Sequence, residues 1–194
     1  REDKPFTRDP HLDALALVLE RTIPWRQHCH RTDDVATALR LADEFGYDLV
    51  LDHGTEAHPL ADQLAARGVP ELRGRSMRNP GRLARAGVEI SIITDHPVVP
   101  IDFLVYQAAL SVKEGLDRET ALRAITLHPA RVLGLDDRIG SLEVGKDADL
   151  VLWSGDPLDV MQRALRVWIG GRQVMEYDLA TARPVVASAR PAED

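Results

Sequence analysis

Three residues of this sequence combine metal-binding chemistry with a shared local setting, the end of a predicted strand. His28 lies near the end of the run 23–30, His53 ends the run 47–53, and Asp95 ends the run 88–95. Imidazole nitrogens and carboxylate oxygens are ligands that suit Zn²⁺ and similar divalent cations. Such a cation lowers the pKa of a bound water to roughly 7, and a neighbouring carboxylate can take the proton of that water. The three residue types therefore indicate metal-assisted hydrolysis.

Each of these residues also has a purely structural interpretation. A single histidine at a strand end is more often a hydrogen-bonded polar residue than a ligand, and a strand-end aspartate can cap the following helix. The two-residue period of a strand puts His28 and His30 on one face and Cys29 on the other, where a lone cysteine behaves as a small buried hydrophobic residue. The metal-site hypothesis therefore depends on His28, His53 and Asp95 taken together.

The elements that must position these residues alternate between strand and helix. Helical patterns follow Asp9-Pro10 and Thr32-Asp33, and two more cover Pro59–Arg67 and Pro80–Arg85. This alternation predicts an α/β fold with a parallel sheet. The carboxyl ends of parallel strands meet at one edge, where α/β barrels build their active sites.

One predicted strand between His53 and Asp95 is incomplete. Gly68-Val69-Pro70 is typical of a strand start, but residues 71–75 do not continue the pattern. We therefore expect either a deleted strand or missing residues near Pro70-Glu71, with a break in the backbone there.

The chain changes character after Asp95. It is predicted to form helices at Phe103–Val112, Glu119–Ile125 and Pro129–Leu133, and then short antiparallel strands at Leu150–Trp153, Val167–Ile169 and Gln173–Met175. The polar residues from Thr181 onward predict a loosely held tail. The domain boundaries expected from this pattern are 1–138, 139–180 and a tail at 181–194.

Composition excludes several classes of function. The 194 residues include 24 basic and 31 acidic side chains, for a net charge of −7, which argues against nucleic-acid or anionic-membrane binding. No run approaches the roughly 18 apolar residues of a transmembrane helix, and no signal peptide is recognised. The single cysteine excludes an intrachain disulfide and a cysteine-based metal cluster, and we expect a cytoplasmic protein.

A longer motif links the chain to a known family. The segment Thr126–Leu135, continued by Ile139–Val151, resembles the closing segment of the amidohydrolase superfamily, in its imidazolonepropionase-related group. Ile169–Val174 is similar to the strand pair that follows it in that group. The resemblance extends from about Ile23 to Met175. It implies the C-terminal half, strands five to eight, of a (β/α)8 TIM-like barrel, followed by part of a small β-sandwich.

The resemblance also implies roles for individual residues. His28 and His53 match the metal-binding histidines of barrel strands five and six, and Asp95 matches the strand-eight aspartate that binds metal and shuttles the proton. His30 and His96 are expected to support these ligands or to face the substrate. The implied cofactor is a divalent metal, zinc with iron and manganese as alternatives. The implied reaction is hydrolysis of a C–N bond, in an amide, cyclic amide or amidine, by metal-activated water.

The chain departs from the family pattern because two ligand sources are absent. The family carries a His-x-His pair on its first strand and often a carboxylated lysine or a glutamate on its fourth, and a complete barrel takes about 250 residues. The expected partners are therefore a small-molecule substrate and a missing N-terminal segment of the same enzyme, with a homo-oligomer as a further option. The chain alone is expected to be inactive. The alternative is a non-catalytic barrel half that binds a partner segment or a small ligand.

Overall fold

The computed structural model describes residues 9–72 and 77–187 of the chain. The chain divides into two compact units, Arg1–Ile90 and Ser91–Asp194. No helix within the described ranges is long and apolar enough to cross a membrane.

Strands and helices alternate along the first unit, as the sequence predicts. Its elements are α1 (Pro10–Leu19), β1 (Trp25–His28), α2 (Thr32–Phe45), β2 (Leu49–Asp52), a 3₁₀ helix (His58–Leu60), α3 (Ala61–Ala66), β3 (Glu71–Leu72), α4 (Asn79–Arg85) and β4 (Ile90–Ser91). The Asp9 side chain caps α1 by accepting from the His11 N–H, and α2 ends at Gly46, whose φ of 72° is left-handed.

The strands of this unit lie in one sheet of order β1-β2-β3-β4. β1 and β2 are parallel, from Trp25 opposite Leu49 to His28 opposite Asp52. The first three residues of β2 are all buried, which is typical of a parallel strand covered on both faces. The shared register brings the carboxyl ends of β1 and β2 to the same edge.

The structure corrects the prediction for the segment near Pro70-Glu71. Glu71–Leu72 form β3, which pairs in parallel with β2, and the Pro70 carbonyl accepts from the Leu51 N–H at 3.0 Å. The expected break at Pro70-Glu71 is therefore wrong. Strand pairing uses backbone groups, so a two-residue strand can form without an alternating side-chain pattern. Residues 73–76, where the prediction continues, lie outside the described ranges.

The described part of the second unit contains a 3₁₀ helix, three α-helices and an antiparallel sheet. After β4 and a 3₁₀ helix (Ile101–Phe103) come α5 (Leu104–Lys113), α6 (Arg118–Arg123) and α7 (Leu127–Val132), and then β5 (Leu150–Trp153), β6 (Ala164–Ile169), β7 (Arg172–Asp178) and β8 (Arg183–Val186). The sheet order is β5-β6-β7-β8, with antiparallel neighbours throughout. The three predicted short strands and the three predicted helices of this unit are thus present, Leu150–Trp153 with the predicted ends and the others with shifted ends.

Two further expectations need correction, one for the run 88–95 and one for the tail from Thr181. Among the described residues, the run predicted as a strand over 88–95 forms a strand only at Ile90–Ser91. Part of the tail predicted to be loosely held, Arg183–Val186, instead forms β8. The Asp178 side chain accepts from the Ala180 N–H and the Thr181 hydroxyl and so turns the chain back onto β7. Residues 188–194 of that tail lie outside the described ranges.

Candidate metal centre at the strand ends of the first unit

Three histidines come together where β1 and β2 end. The ring centroids of His28 and His53 are 4.4 Å apart, those of His28 and His30 are 4.8 Å apart, and those of His30 and His53 are 5.3 Å apart. His28 ends β1, and His53 directly follows the last residue of β2. The in-register parallel pairing of these strands explains why residues 25 positions apart in the chain become neighbours.

Hydrogen bonds connect the rings of this histidine cluster, which we define as His28, His30 and His53. The Nε2 atoms of His28 and His30 lie 2.9 Å apart, and the Nδ1 of His30 lies 2.7 Å from the Thr55 hydroxyl. A neutral imidazole carries one N–H, so the two ring nitrogens of His30 take opposite roles. When its Nδ1 donates to Thr55, its Nε2 accepts from His28, and the Nδ1 lone pair of His28 is left for a cation.

The loops after the two strands are joined to each other. The Glu56 N–H donates to the His30 carbonyl at 2.8 Å, and the Thr32 hydroxyl donates to the Glu56 carbonyl at 2.8 Å. The Cys29 N–H donates to the Asp52 carbonyl at 3.2 Å. These hydrogen bonds hold the loop after β1 against the loop after β2. The positions of the three rings therefore depend on both strands.

Two of the predicted ligands have a backbone conformation that is uncommon for residues other than glycine. His53 has a φ of 75° and Asp95 a φ of 55°, both in the left-handed region. For residues with a Cβ this region costs roughly 1–2 kcal/mol, and such strain collects at functional sites. The sequence gives no sign of it, because neither position carries a glycine.

A buried asparagine supports the loop that follows His53. Asn79 is only 2% exposed, and its Nδ2 donates to the carbonyls of Gly54 at 3.0 Å and Thr55 at 3.2 Å. Sequence reasoning missed both Asn79 and Thr55. The only available signal for Thr55 was its place two residues after a strand-end histidine, and Asn79 had none, because it is distant in the chain.

The remaining predicted site residues belong to the second unit. Asp95 and His96 are exposed, and they follow the buried Thr94 in a turn closed by a 2.8 Å bond from the Val98 N–H to the Asp95 carbonyl. An exposed carboxylate at the end of a strand-derived segment is accessible to water and to substrate. The convergence of Asp95 with His28 and His53 within about 3–5 Å, given metal–ligand bonds near 2.0–2.2 Å, stays a prediction.

The chemistry of the histidine cluster fits part of a metal site. Imidazole nitrogens suit zinc and related ions, and the paired His28 and His53 rings supply two such donors. No group of three or more His, Cys, Asp or Glu residues within 9–72 and 77–187 has the spacing to hold a metal ion. Asp52, beside His53, has an ion pair with Arg26 at 3.0 Å. The cluster therefore offers two ligands and needs others.

Proteins of known sequence and structure resemble this chain over most of its length. The chain is 34% identical over 164 residues to the imidazolonepropionase of Maricaulis maris, which covers 77% of this chain and 39% of that protein. An amidohydrolase structure from Thermotoga maritima MSB8 matches with a TM-score of 0.84 and 42% identity, covering 90% of this chain and 49% of that one. An adenosine deaminase structure from Xanthomonas campestris with bound zinc matches with a TM-score of 0.63 and 26% identity, covering 89% and 53%.

The chain thus spans about two fifths to about half of the length of these relatives. Its structural neighbours share a mixed α/β amidohydrolase fold with it. The sequence profile of the amidohydrolase family matches residues 4–175, which is most of the chain. This protein chain therefore belongs to the amidohydrolase family.

Proposed function

We propose that this chain is one part of a metal-dependent hydrolase that cleaves a C–N bond in an amide, cyclic amide or amidine. The observation that carries the proposal is the meeting of His28, His30 and His53 at the ends of two parallel strands. The chain belongs to the amidohydrolase family, and the resemblance of its strand ends to those of that superfamily implies that His28 and His53 are cation ligands. The match to an imidazolonepropionase supports a small-molecule substrate of this kind.

In this proposal His28 and His53 hold the cation, and His30 orients the His28 ring through their 2.9 Å hydrogen bond. Zinc is the expected metal, with iron or manganese as alternatives, and the zinc bound by the Xanthomonas campestris neighbour supports that choice. When bound, such a cation lowers the pKa of a coordinated water to about 7. Asp95 is the proposed third ligand, and its carboxylate accepts the proton of the water and delivers it to the leaving nitrogen.

We further propose that the chain supplies only half of the enzyme. The support is its span of 39% to 53% of the relatives and the lack of a three-ligand group in the described ranges. Residues 1–138 would then form strands five to eight of a (β/α)8 barrel and residues 139–180 part of a β-sandwich. A missing N-terminal segment would complete the ligands and the substrate pocket. A cytoplasmic location and homo-oligomerisation stay predictions.

Metal content is the first test of this function. The chain extended by its natural N-terminal sequence should purify with a divalent cation, measured by inductively coupled plasma mass spectrometry, and His53→Ala should lower its stoichiometry. His58→Ala is the matched control, because His58 is an exposed histidine in the following 3₁₀ helix and outside the histidine cluster. Absence of metal from the extended wild-type protein would favour the non-catalytic alternative.

Turnover tests the proton shuttle. In the extended protein Asp95→Asn should lower kcat by about 10²–10⁴ on any amide, cyclic amide or amidine that the wild type hydrolyses, because an amide cannot accept the proton of the water. The fold should survive, since asparagine tolerates a left-handed φ such as the 55° of Asp95. Asp102→Asn, at another exposed aspartate of the second unit, should leave kcat unchanged. Undiminished turnover of Asp95→Asn would remove the proposed shuttle.

A further inference from the structure

We propose that Asn79 is a positioning residue for the histidine cluster, acting through the loop that follows His53. This inference deepens the proposed function and depends on it for the identity of the bound cation. Asn79 begins α4 and is distant in the chain from all three histidines. Both hydrogen bonds of its Nδ2 go to backbone carbonyls of the loop after His53, so its role is to fix the backbone that carries the rings.

The contacts of Asn79 are specific to its carboxamide. With 2% of its surface exposed, the side chain has its Nδ2 within hydrogen-bond distance of two consecutive carbonyl oxygens, those of Gly54 and Thr55. One amide nitrogen has two N–H groups and can donate to both. A buried polar side chain is unfavourable unless its hydrogen bonds are formed, so a residue needed only for packing here would be apolar. Leu83 of the same helix, 0% exposed, is such a residue.

The segment held by Asn79 is the one that needs support. His53 and Gly54 have φ values of 75° and 27°, so the backbone leaves β2 through a left-handed turn. Local conformations of this kind persist only when surrounding interactions hold them. The two hydrogen bonds from Asn79 reach Gly54 and Thr55, the residues directly after His53. They therefore stabilise the turn that directs the His53 ring.

The same segment also controls the other two rings. Thr55, whose carbonyl accepts from Asn79, has its hydroxyl 2.7 Å from His30 Nδ1, and His30 Nε2 lies 2.9 Å from His28 Nε2. Thr55 thus connects Asn79 to the rings. Its carbonyl accepts from Asn79, and its hydroxyl is hydrogen-bonded to His30, which in turn is hydrogen-bonded to His28. Loss of the Asn79 carboxamide should release the turn, change the hydrogen bonding of His30, and reorient the ligand rings.

The test compares variants of the extended protein by two readouts. The first is the zinc dissociation constant, measured by chelator competition, and the second is the pattern of imidazole ¹⁵N chemical shifts in the metal-free protein, which reports the His30 tautomer. Asn79→Leu, which keeps similar volume without a donor, should weaken zinc binding about 10–100-fold, as loss of a group that orients a ligand does. It should also change the His30 shifts.

Leu83→Ala is the matched control on the same helix. It lowers stability by leaving a cavity in the core, but it leaves the Asn79 carboxamide in place. Under conditions where both variants are folded, Leu83→Ala should bind zinc like the wild type and keep its His30 shifts. Equal loss of zinc affinity in Leu83→Ala and Asn79→Leu would overturn the inference, as would wild-type affinity and shifts in Asn79→Leu.

If Asn79→Leu does not fold, a second pair of variants tests the link from Thr55 to His30, a step that the inference requires. Thr55→Val removes the hydroxyl that links the supported loop to His30, and Thr55→Ser retains it. The valine variant should change the His30 shifts and weaken zinc binding, and the serine variant should restore both. Identical behaviour of the two would refute the connection. If the wild type binds no zinc, the proposed function fails, and the shifts of the metal-free variants still decide the role of Asn79.

Discussion

His53 is held in a conformation that should reverse the usual ranking of alanine and glycine. Its φ of 75° places the Cβ close to the following carbonyl oxygen, at a cost of roughly 1–2 kcal/mol for any residue with a Cβ. Glycine avoids that cost and loses about 0.5–1 kcal/mol relative to alanine through backbone entropy. The difference between the middle values of these two ranges leaves His53→Gly more stable than His53→Ala by about 0.8 kcal/mol. Both variants lack the ring, so its contacts cancel in the comparison.

Urea unfolding of the metal-free protein, followed by circular dichroism, measures this difference. The control is the same pair of substitutions at Arg40, an exposed position inside α2, where the backbone is right-handed helical. There the glycine variant should be less stable than the alanine variant by about 1 kcal/mol. The difference in free energy of unfolding between the glycine and alanine variants is therefore predicted to have opposite signs at His53 and Arg40.

One outcome of the urea unfolding would contradict this prediction. A His53→Ala variant that equals or exceeds His53→Gly in free energy of unfolding would show that the left-handed turn after β2 is not strained. Both His53 variants should lose zinc affinity because both lack the imidazole. If His53→Gly is more stable than His53→Ala and neither binds zinc, the protein keeps a strained backbone at residue 53 in order to place an imidazole there.

Three further predictions concern the scaffold. Gly140→Ala should lower the melting temperature, because a Cβ there would lie 2.8 Å from the Ala130 Cβ at a φ of +90°, and normal melting of the variant would contradict this packing. Leu51→Ala should cost about 2–5 kcal/mol in urea unfolding, since Leu51 is 0% exposed, and a cost below 1 kcal/mol would mean that β2 is not a core strand. Hydrogen bonds from the Thr120 N–H and hydroxyl hold the pKa of Asp117 below its usual value of 3.8. The cap therefore contributes stability above pH 3.8 and loses it as pH falls through the lower folded pKa. The stability gap between wild type and Asp117→Ala should therefore narrow from about pH 7 to about pH 3, and a gap independent of pH would exclude a charged cap.

Much of the arrangement of the first unit follows from local patterns in the sequence. The hydrophobic runs that end near His28 and at His53 predict strands, and the helical pattern between them predicts that the strands are parallel, which the register confirms. The two-residue period of a strand explains why His28 and His30 face each other. These features are predictable because they depend on side-chain periodicity within a few residues of each position.

Other features depend on backbone contacts between distant residues, and only the tertiary structure decided them. β3 forms because Glu71–Leu72 lie beside β2, although their side chains show no strand pattern. The left-handed turn at His53 is held by hydrogen bonds from Asn79. No pattern in the sequence around Asn79 predicts this contact. Periodicity predicts which face a residue takes on its own element. Hydrogen bonds to elements remote in the chain fix the direction in which the histidine rings point.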